Sequence, residues 1–144
     1  MRALLDVNVL IALLDPDHAF HDRAHNWWAA NTKRGWASCP LTENGVVRIM
    51  SNPGYSRLAT FSPGDLIGRL RQFTEKSNHE FWPDDISFRD KAIFSQEHIH
   101  SSRLLTDLYL LALATTRQGR LVTFDQGIPL SAVSGAKAAN LCVA

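Results

Sequence analysis

Short apolar segments alternate with helical patterns along this chain, and this alternation constrains the fold more than any other feature. Five short segments have the character of buried strands, at residues 2–7, 35–39, 80–82, 121–124 and 140–143. Strands separated by helices favour a parallel sheet that is covered by helices on both faces. In such a sheet, ligands bind beyond the carboxyl ends of the strands.

The intervening segments carry apolar residues at helical spacing. We predict helices at residues 8–14, 19–31, 40–50 and 106–118, and one more that begins after the capping residue Ser62. The buried face of the second helix is predicted to be Phe20, Ala24, Trp27 and Trp28. That of the helix after Ser62 is predicted to be Leu66, Ile67, Leu70 and Phe73. The helix at 106–118 is apolar nearly all round, so we expect it to be central.

Four carboxylates stand among apolar neighbours, near strand ends and helix starts. Asp6 ends the first predicted strand and Asp125 follows the fourth, while Glu43 and Asp107 lie in the first turns of helices. Each has a structural alternative: Asp6 could cap the next helix, Asp107 could stabilise a helix dipole, Glu43 could open its helix and Asp125 could form a turn. A shared site is absent only if all four of these structural alternatives are true at the same time.

Carboxylates gathered at one edge of a sheet would repel one another and raise their pKa values. A hard divalent cation relieves this repulsion, because Mg²⁺ and Mn²⁺ prefer oxygen ligands. Such an ion activates water and stabilises charge on phosphate oxygens. The pattern therefore favours a metal site for phosphoryl chemistry over redox or acyl-transfer chemistry.

Composition excludes several classes of protein. The formal net charge of +1 argues against a nucleic-acid binder that relies on bulk positive charge, although residues 33–76 carry a local excess of four positive charges. The two cysteines, Cys39 and Cys142, form neither a disulfide framework nor a zinc cluster. We expect one domain over residues 1–144, with no membrane span or export signal, in a reducing cytoplasm.

Four segments in order resemble the acidic motifs of PIN domains, and more closely those of the VapC-type toxins of bacterial toxin–antitoxin pairs. The segments are Asp6-Val-Asn-Val-Leu, residues 41–49, residues 106–110 and Leu-Val-Thr-Phe-Asp at 121–125. The resemblance implies a three-layer α/β/α sandwich around a parallel sheet of five strands. It also implies Mg²⁺- or Mn²⁺-dependent endoribonuclease activity, a homodimer, and inhibition by a VapB-type antitoxin.

The resemblance also assigns roles to residues. Asp6 and Asp107 match the principal metal-binding aspartates, Glu43 the acid that completes the site, and Asp125 the fourth acid. The polar residues Asn8 and Thr123 match positions that orient these groups or the substrate, with local capping and strand polarity as their alternatives. Arg48 is a candidate for phosphate or antitoxin contact, or a solvated helix residue.

Other interpretations remain open from the sequence. The chain could be a PIN ribonuclease of RNA processing outside toxin–antitoxin pairs, or a PIN-like module that only binds a partner. A phosphatase with Asp6 as nucleophile ranks lower, because Asn8 stands where such enzymes place a second Asp. His21 and His25 have the spacing of zinc ligands on a helix, but no third ligand is evident.

Overall fold

The computed structural model describes all of residues 1–144 and contains one parallel sheet of five strands. The strands are β1 (Ala3–Leu5), β2 (Trp36–Ser38), β3 (His79–Phe81), β4 (Arg120–Thr123) and β5 (Leu141–Val143). Their order across the sheet is β3-β2-β1-β4-β5, and every neighbouring pair is parallel. The predicted parallel sheet is confirmed, and its carboxyl edge collects the residues that follow β1, β2 and β4.

Five helices cover the two faces of this sheet. They are α1 (Val7–Leu14), α2 (His21–Asn31), α3 (Pro40–Met50), α4 (Pro63–Glu75) and α5 (Leu105–Thr116). Successive side chains of β1 point to opposite faces, so Leu4 joins one hydrophobic cluster with α5, whereas Ala3 and Leu5 join a second cluster with α1, α2, α3 and α4. The molecule is therefore the expected three-layer α/β/α sandwich, in which α5 packs on one face of the sheet and the other four helices pack on the opposite face.

Most element boundaries lie within two residues of those predicted. Two residues that the sequence predicts to be buried are exposed in the structure. Phe20 is 42% exposed and precedes α2, and Ile67 is 47% exposed on α4. Leu66 and Leu70 are buried as expected, and the Ser62 hydroxyl accepts a hydrogen bond from the Asp65 amide at 3.0 Å as the predicted cap. Ile67 faces a groove between α3 and α4 instead of the core.

Helix α1 is held at both ends by contacts with other helices. At its amino end, Val7 packs so closely on Gly45 of α3 that a Cβ atom at Gly45 would lie 2.8 Å from Val7 Cγ2. At its carboxyl end, the carbonyls of residues 12–14 receive hydrogen bonds from the side chains of His21, His25 and Arg69. These contacts fix the helix that begins directly after Asp6. No helix in the molecule combines the length and apolar character needed to cross a membrane.

Two helical glycines provide a matched test of the α1–α3 contact. Gly45→Ala should destabilise the protein by about 1–2 kcal/mol, because the new methyl group meets the stiff side chain of Val7. Gly68→Ala, in the open middle of α4, should instead stabilise it by about 0.5–1 kcal/mol through helix propensity. Urea denaturation of both variants measures these changes, and an equal gain in both would contradict the close packing.

Candidate active site

Three carboxylates from separate parts of the chain meet at the carboxyl edge of the sheet. Asp6 follows β1, Asp107 lies in the first turn of α5, and Asp125 follows β4. One carboxylate oxygen from each lies within 4.8 Å of the others. Asp6 is buried, Asp107 is half-buried and Asp125 is exposed, so the cluster runs from the protein interior to solvent. The outer two line an open cavity of about 420 Å³.

Hydrogen bonds fix the innermost carboxylate on both oxygens. The backbone N–H of Val7 donates to Asp6 Oδ1 and the hydroxyl of Thr123 donates to Asp6 Oδ2, each at 2.7 Å. Thr123 Oγ1 also accepts a hydrogen bond from the backbone N–H of Asp125 at 3.0 Å. Thr123 thus links the first and last members of the cluster. Asn8 Oδ1 accepts a longer bond, 3.4 Å, from the backbone N–H of Phe124.

Burial and mutual repulsion raise the pKa values of two of these acids. Burial is the main cause for Asp6, and it outweighs the hydrogen bonds from Thr123 and Val7 that lower its pKa. Burial, followed by the negative charges of Asp6 and Asp125, raises the pKa of Asp107 to about 6. Without a counter-ion, ionising the whole cluster at neutral pH therefore costs free energy.

The donor set fits a hard divalent cation. The cluster offers oxygen ligands only, with no cysteine or histidine in it, and its charges repel until a cation neutralises them. Asp6, Asp107 and Asp125 are the residues that would hold such an ion. The one basic residue that lines the adjoining cavity is Arg103, whose side chain is exposed.

Glu43 does not join this cluster. Its Oε2 accepts a hydrogen bond from the Ser38 hydroxyl at 2.5 Å, and Ser38 Oγ lies 2.7 Å from His79 Nε2. Glu43 and His79 line a separate groove of about 590 Å³ between α3, α4 and β3. The predicted place of Glu43 in the metal site thus stays a prediction, because only three of the four acids come together directly.

Comparison with known proteins identifies the family of this chain. Residues 3–134 match the family model of the PIN domain. The chain is 48% identical over 141 residues to Ribonuclease VapC44 of Mycobacterium tuberculosis (strain CDC 1551 / Oshkosh), which covers 98% of each protein. It is 42% identical over 135 residues to Ribonuclease VapC39 of the same strain, covering 94% of this chain and 96% of the relative. The chain belongs to the VapC-type PIN ribonucleases.

Membership of the VapC-type PIN ribonucleases confirms the resemblance that the four acidic motifs indicated. The other candidates from the sequence lie apart from the acidic cluster. His21 and His25 bind the carbonyl oxygens of Ala12 and Leu13, and Arg48 is exposed on α3. The rings of His21 and His25 are 4.3 Å apart, but neither imidazole joins an acid to form a metal site.

Sequence reasoning missed three residues near the acids of this VapC-type chain. Ser38 ends β2 directly before the Glu43 helix, and that position was the only signal available for it. His79 begins β3 and is 41 residues away from the serine that it contacts. Arg103 precedes α5 by two positions, where a basic residue gives no distinctive pattern.

The repulsion within the cluster predicts an unusual pH dependence of stability in EDTA. Between pH 4 and about pH 6 the folded state holds a proton on Asp107 that the unfolded chain has released, so stability falls as the pH rises through this range. Asp107→Asn removes this cost. Because water screens part of the repulsion at a half-buried group, we expect a gain of about 1 kcal/mol, or about 3 °C in Tm, at pH 7.5.

Asp65→Asn is the matched control, since Asp65 is exposed at the same position in the first turn of α4 as Asp107 in α5. Thermal melts at pH 4 and pH 7.5 should show a gain for Asp107→Asn that disappears at pH 4, and no such gain for Asp65→Asn. A Tm for Asp107→Asn at or below that of the unaltered protein at pH 7.5 would contradict the proposed repulsion.

Proposed function

We propose that this protein is an endoribonuclease that depends on Mg²⁺ or Mn²⁺ and acts as the toxin of a toxin–antitoxin pair. The observation that carries the proposal is the three-carboxylate cluster, in which the raised pKa values of Asp6 and Asp107 favour a bound divalent cation. The relatives VapC44 and VapC39 are named ribonucleases, which supports RNA as the substrate.

In this proposal Asp6 and Asp107 are the principal metal ligands and Asp125 acts as an outer acid. A divalent cation held by these residues would supply the Lewis acidity needed to activate water and to stabilise charge on the departing 3′ oxygen. Thr123 holds the Asp6 carboxylate through its hydroxyl, and Asn8 holds the backbone that leads to Asp125. Glu43, in the first turn of α3 after the neighbouring strand β2, completes the metal site as the fourth acid in this proposal. The products are a 3′-hydroxyl and a 5′-phosphate.

Three further parts of the proposal come from the family. A VapB-type antitoxin inhibits the protein, and the VapC names of the relatives support such a partner. The chain forms a homodimer of single PIN domains over residues 1–144. It works in the cytoplasm, where its RNA substrate is found.

Asp6→Asn tests the proposed activity most directly. The amide keeps the shape of the side chain and can still cap α1, but it removes one negative charge from the cluster. Cleavage of cellular RNA in Mn²⁺ should fall by about a hundredfold or more while the folded structure is retained. The assay is the release of new 5′-phosphate ends, compared with EDTA as the metal-free control.

Asp65→Asn carries the same change of charge at an exposed position and should cleave at the rate of the unaltered protein. Full activity of Asp6→Asn would disprove the proposed site. If the unaltered protein leaves every RNA uncut in Mg²⁺ and Mn²⁺, the chain is better described as a partner-binding module.

Arg103 is the candidate for holding a substrate phosphate beside the acids, because it lines the cavity that Asp107 and Asp125 share. Arg103→Ala should raise the KM for RNA severalfold and lower the slope of log affinity against log salt by about one. Binding is measured in the Asp6→Asn background, where RNA stays intact. Arg34→Ala, an exposed arginine just before β2 at the opposite edge of the sheet, should change neither value. Equal salt slopes for the two arginine variants would exclude Arg103 as a phosphate contact.

A further inference from the structure

A chain of three side chains connects β3 to the first turns of α3. His79 is the first residue of β3, Ser38 is the last of β2, and Glu43 lies on α3. Ser38 Oγ lies 2.7 Å from His79 Nε2 and 2.5 Å from Glu43 Oε2, and the serine is completely buried. Strand β2, which Ser38 ends, is the direct neighbour of β1, which Asp6 follows, yet none of the three residues is within the carboxylate cluster.

The chemistry of the three groups sets the donor-to-acceptor direction of the hydrogen bonds that connect them. An ionised carboxylate only accepts hydrogen bonds, so the single hydrogen of the Ser38 hydroxyl points to Glu43 Oε2. Ser38 Oγ then has only lone pairs left for His79 Nε2, 2.7 Å away, so this direction requires the ring to carry its hydrogen on Nε2. Burial and the positive charge of Arg2 lower the pKa of His79, which favours the neutral ring.

Packing holds the histidine in place. The ring of Trp36, which is 1% exposed, lies 4.5 Å from the His79 ring between centroids. The two residues are also direct partners in the register of β2 and β3. The histidine therefore cannot swing away from Ser38 without disturbing the edge of the sheet, and the chain of hydrogen bonds starts from a rigid point.

The order of the three groups excludes a serine-hydrolase triad. In such a triad the serine gives its proton to the histidine and presents its oxygen to substrate. Here Ser38 donates to the acid and has no exposed surface. Instead, the Ser38 hydroxyl occupies Oε2 of Glu43, whereas no protein group donates a hydrogen bond to Oε1 of this half-buried residue.

We propose that Ser38 and His79 are positioning residues that hold the Glu43 carboxylate, with Oε2 fixed and Oε1 free for the hydrated cation or the RNA. This inference rests on the proposed ribonuclease function. In this proposal Glu43 acts with the three-carboxylate cluster although it lies outside it, because the buried Ser38 at the end of β2 fixes its carboxylate.

Two substitutions test the positioning role by activity. Ser38→Ala should lower kcat at saturating Mn²⁺ by about 10- to 100-fold, with the KM for RNA within about twofold. His79→Phe keeps a ring against Trp36 but removes the donor, so kcat should fall by a smaller factor. His79→Gln restores an N–H donor and should recover most of the loss.

Ser77→Ala is the matched control for a purely structural effect. It removes the hydrogen bond, 2.8 Å long, that Trp36 Nε1 donates to Ser77 Oγ, beside the same pair of strands. We expect a lower Tm for this variant with kcat within about twofold of the unaltered protein. If Ser38→Ala and His79→Phe cleave as fast as Ser77→Ala, the positioning role is wrong.

A second readout does not depend on cleavage. The ¹⁵N chemical shifts of the His79 ring, recorded without metal in the Asp6→Asn protein, should show the hydrogen on Nε2. In Glu43→Ala the serine loses its acceptor and can turn its hydrogen towards His79, so the hydrogen of the ring should move to Nδ1. A ring that carries its hydrogen on Nδ1 from the start would overturn the proposed direction.

The two readouts separate failure of this inference from failure of the proposed function. Loss of cleavage in Asp6→Asn together with full activity of Ser38→Ala would retain the ribonuclease and reject the positioning role. If the unaltered protein cleaves no RNA, the ribonuclease proposal is rejected, and the catalytic role of Ser38 and His79 is rejected with it. The ¹⁵N shifts then still decide whether the hydrogen bonds from His79 through Ser38 run towards Glu43.

Discussion

Repulsion among carboxylates at one edge of the sheet is the constraint on which the rest of this structure depends. Three acids reach within 4.8 Å of one another, and the only basic residue lining the adjoining cavity is the exposed Arg103. The parallel order β2-β1-β4 brings the ends of the central strands to the same edge, where this arrangement becomes possible. The fold thus creates an unfavourable concentration of charge, and a divalent cation is the natural means of neutralising it.

The protein keeps these charges in place by tying their supporting elements together. Thr123 connects Asp6 with the backbone of Asp125. On the other side, Asp84 accepts hydrogen bonds from the first-turn amide of α3 at Leu41 and from the hydroxyl of Tyr109 on α5. The helices that carry Glu43 and Asp107 are therefore fixed to a common anchor. Such fixed geometry matters for a metal site, because loosely held carboxylates would turn apart to reduce their repulsion.

The sequence predicts the layers of this fold better than the details of its site. Alternating strands and helices, and strand-end acids such as Asp6 and Asp125, follow from local patterns that a single chain displays. The exposure of Ile67 does not follow from local patterns. Helical spacing shows which residues share a face of α4, but it does not show that a groove lies beside that face. The bond between Ser38 and His79 spans 41 residues, so only the register of β2 and β3 could reveal it.

Separation of Glu43 from the other three acids has an electrostatic reason. The pKa of Asp107 already reaches about 6 through burial and the charges of two neighbours. A fourth carboxylate in direct contact would raise it further, and protons would then compete with the cation at neutral pH. Glu43 instead stays outside direct contact with the three acids, with its Oε2 held by the Ser38 hydroxyl. The arrangement thus leaves the repulsion among the three clustered acids no greater than their own charges make it.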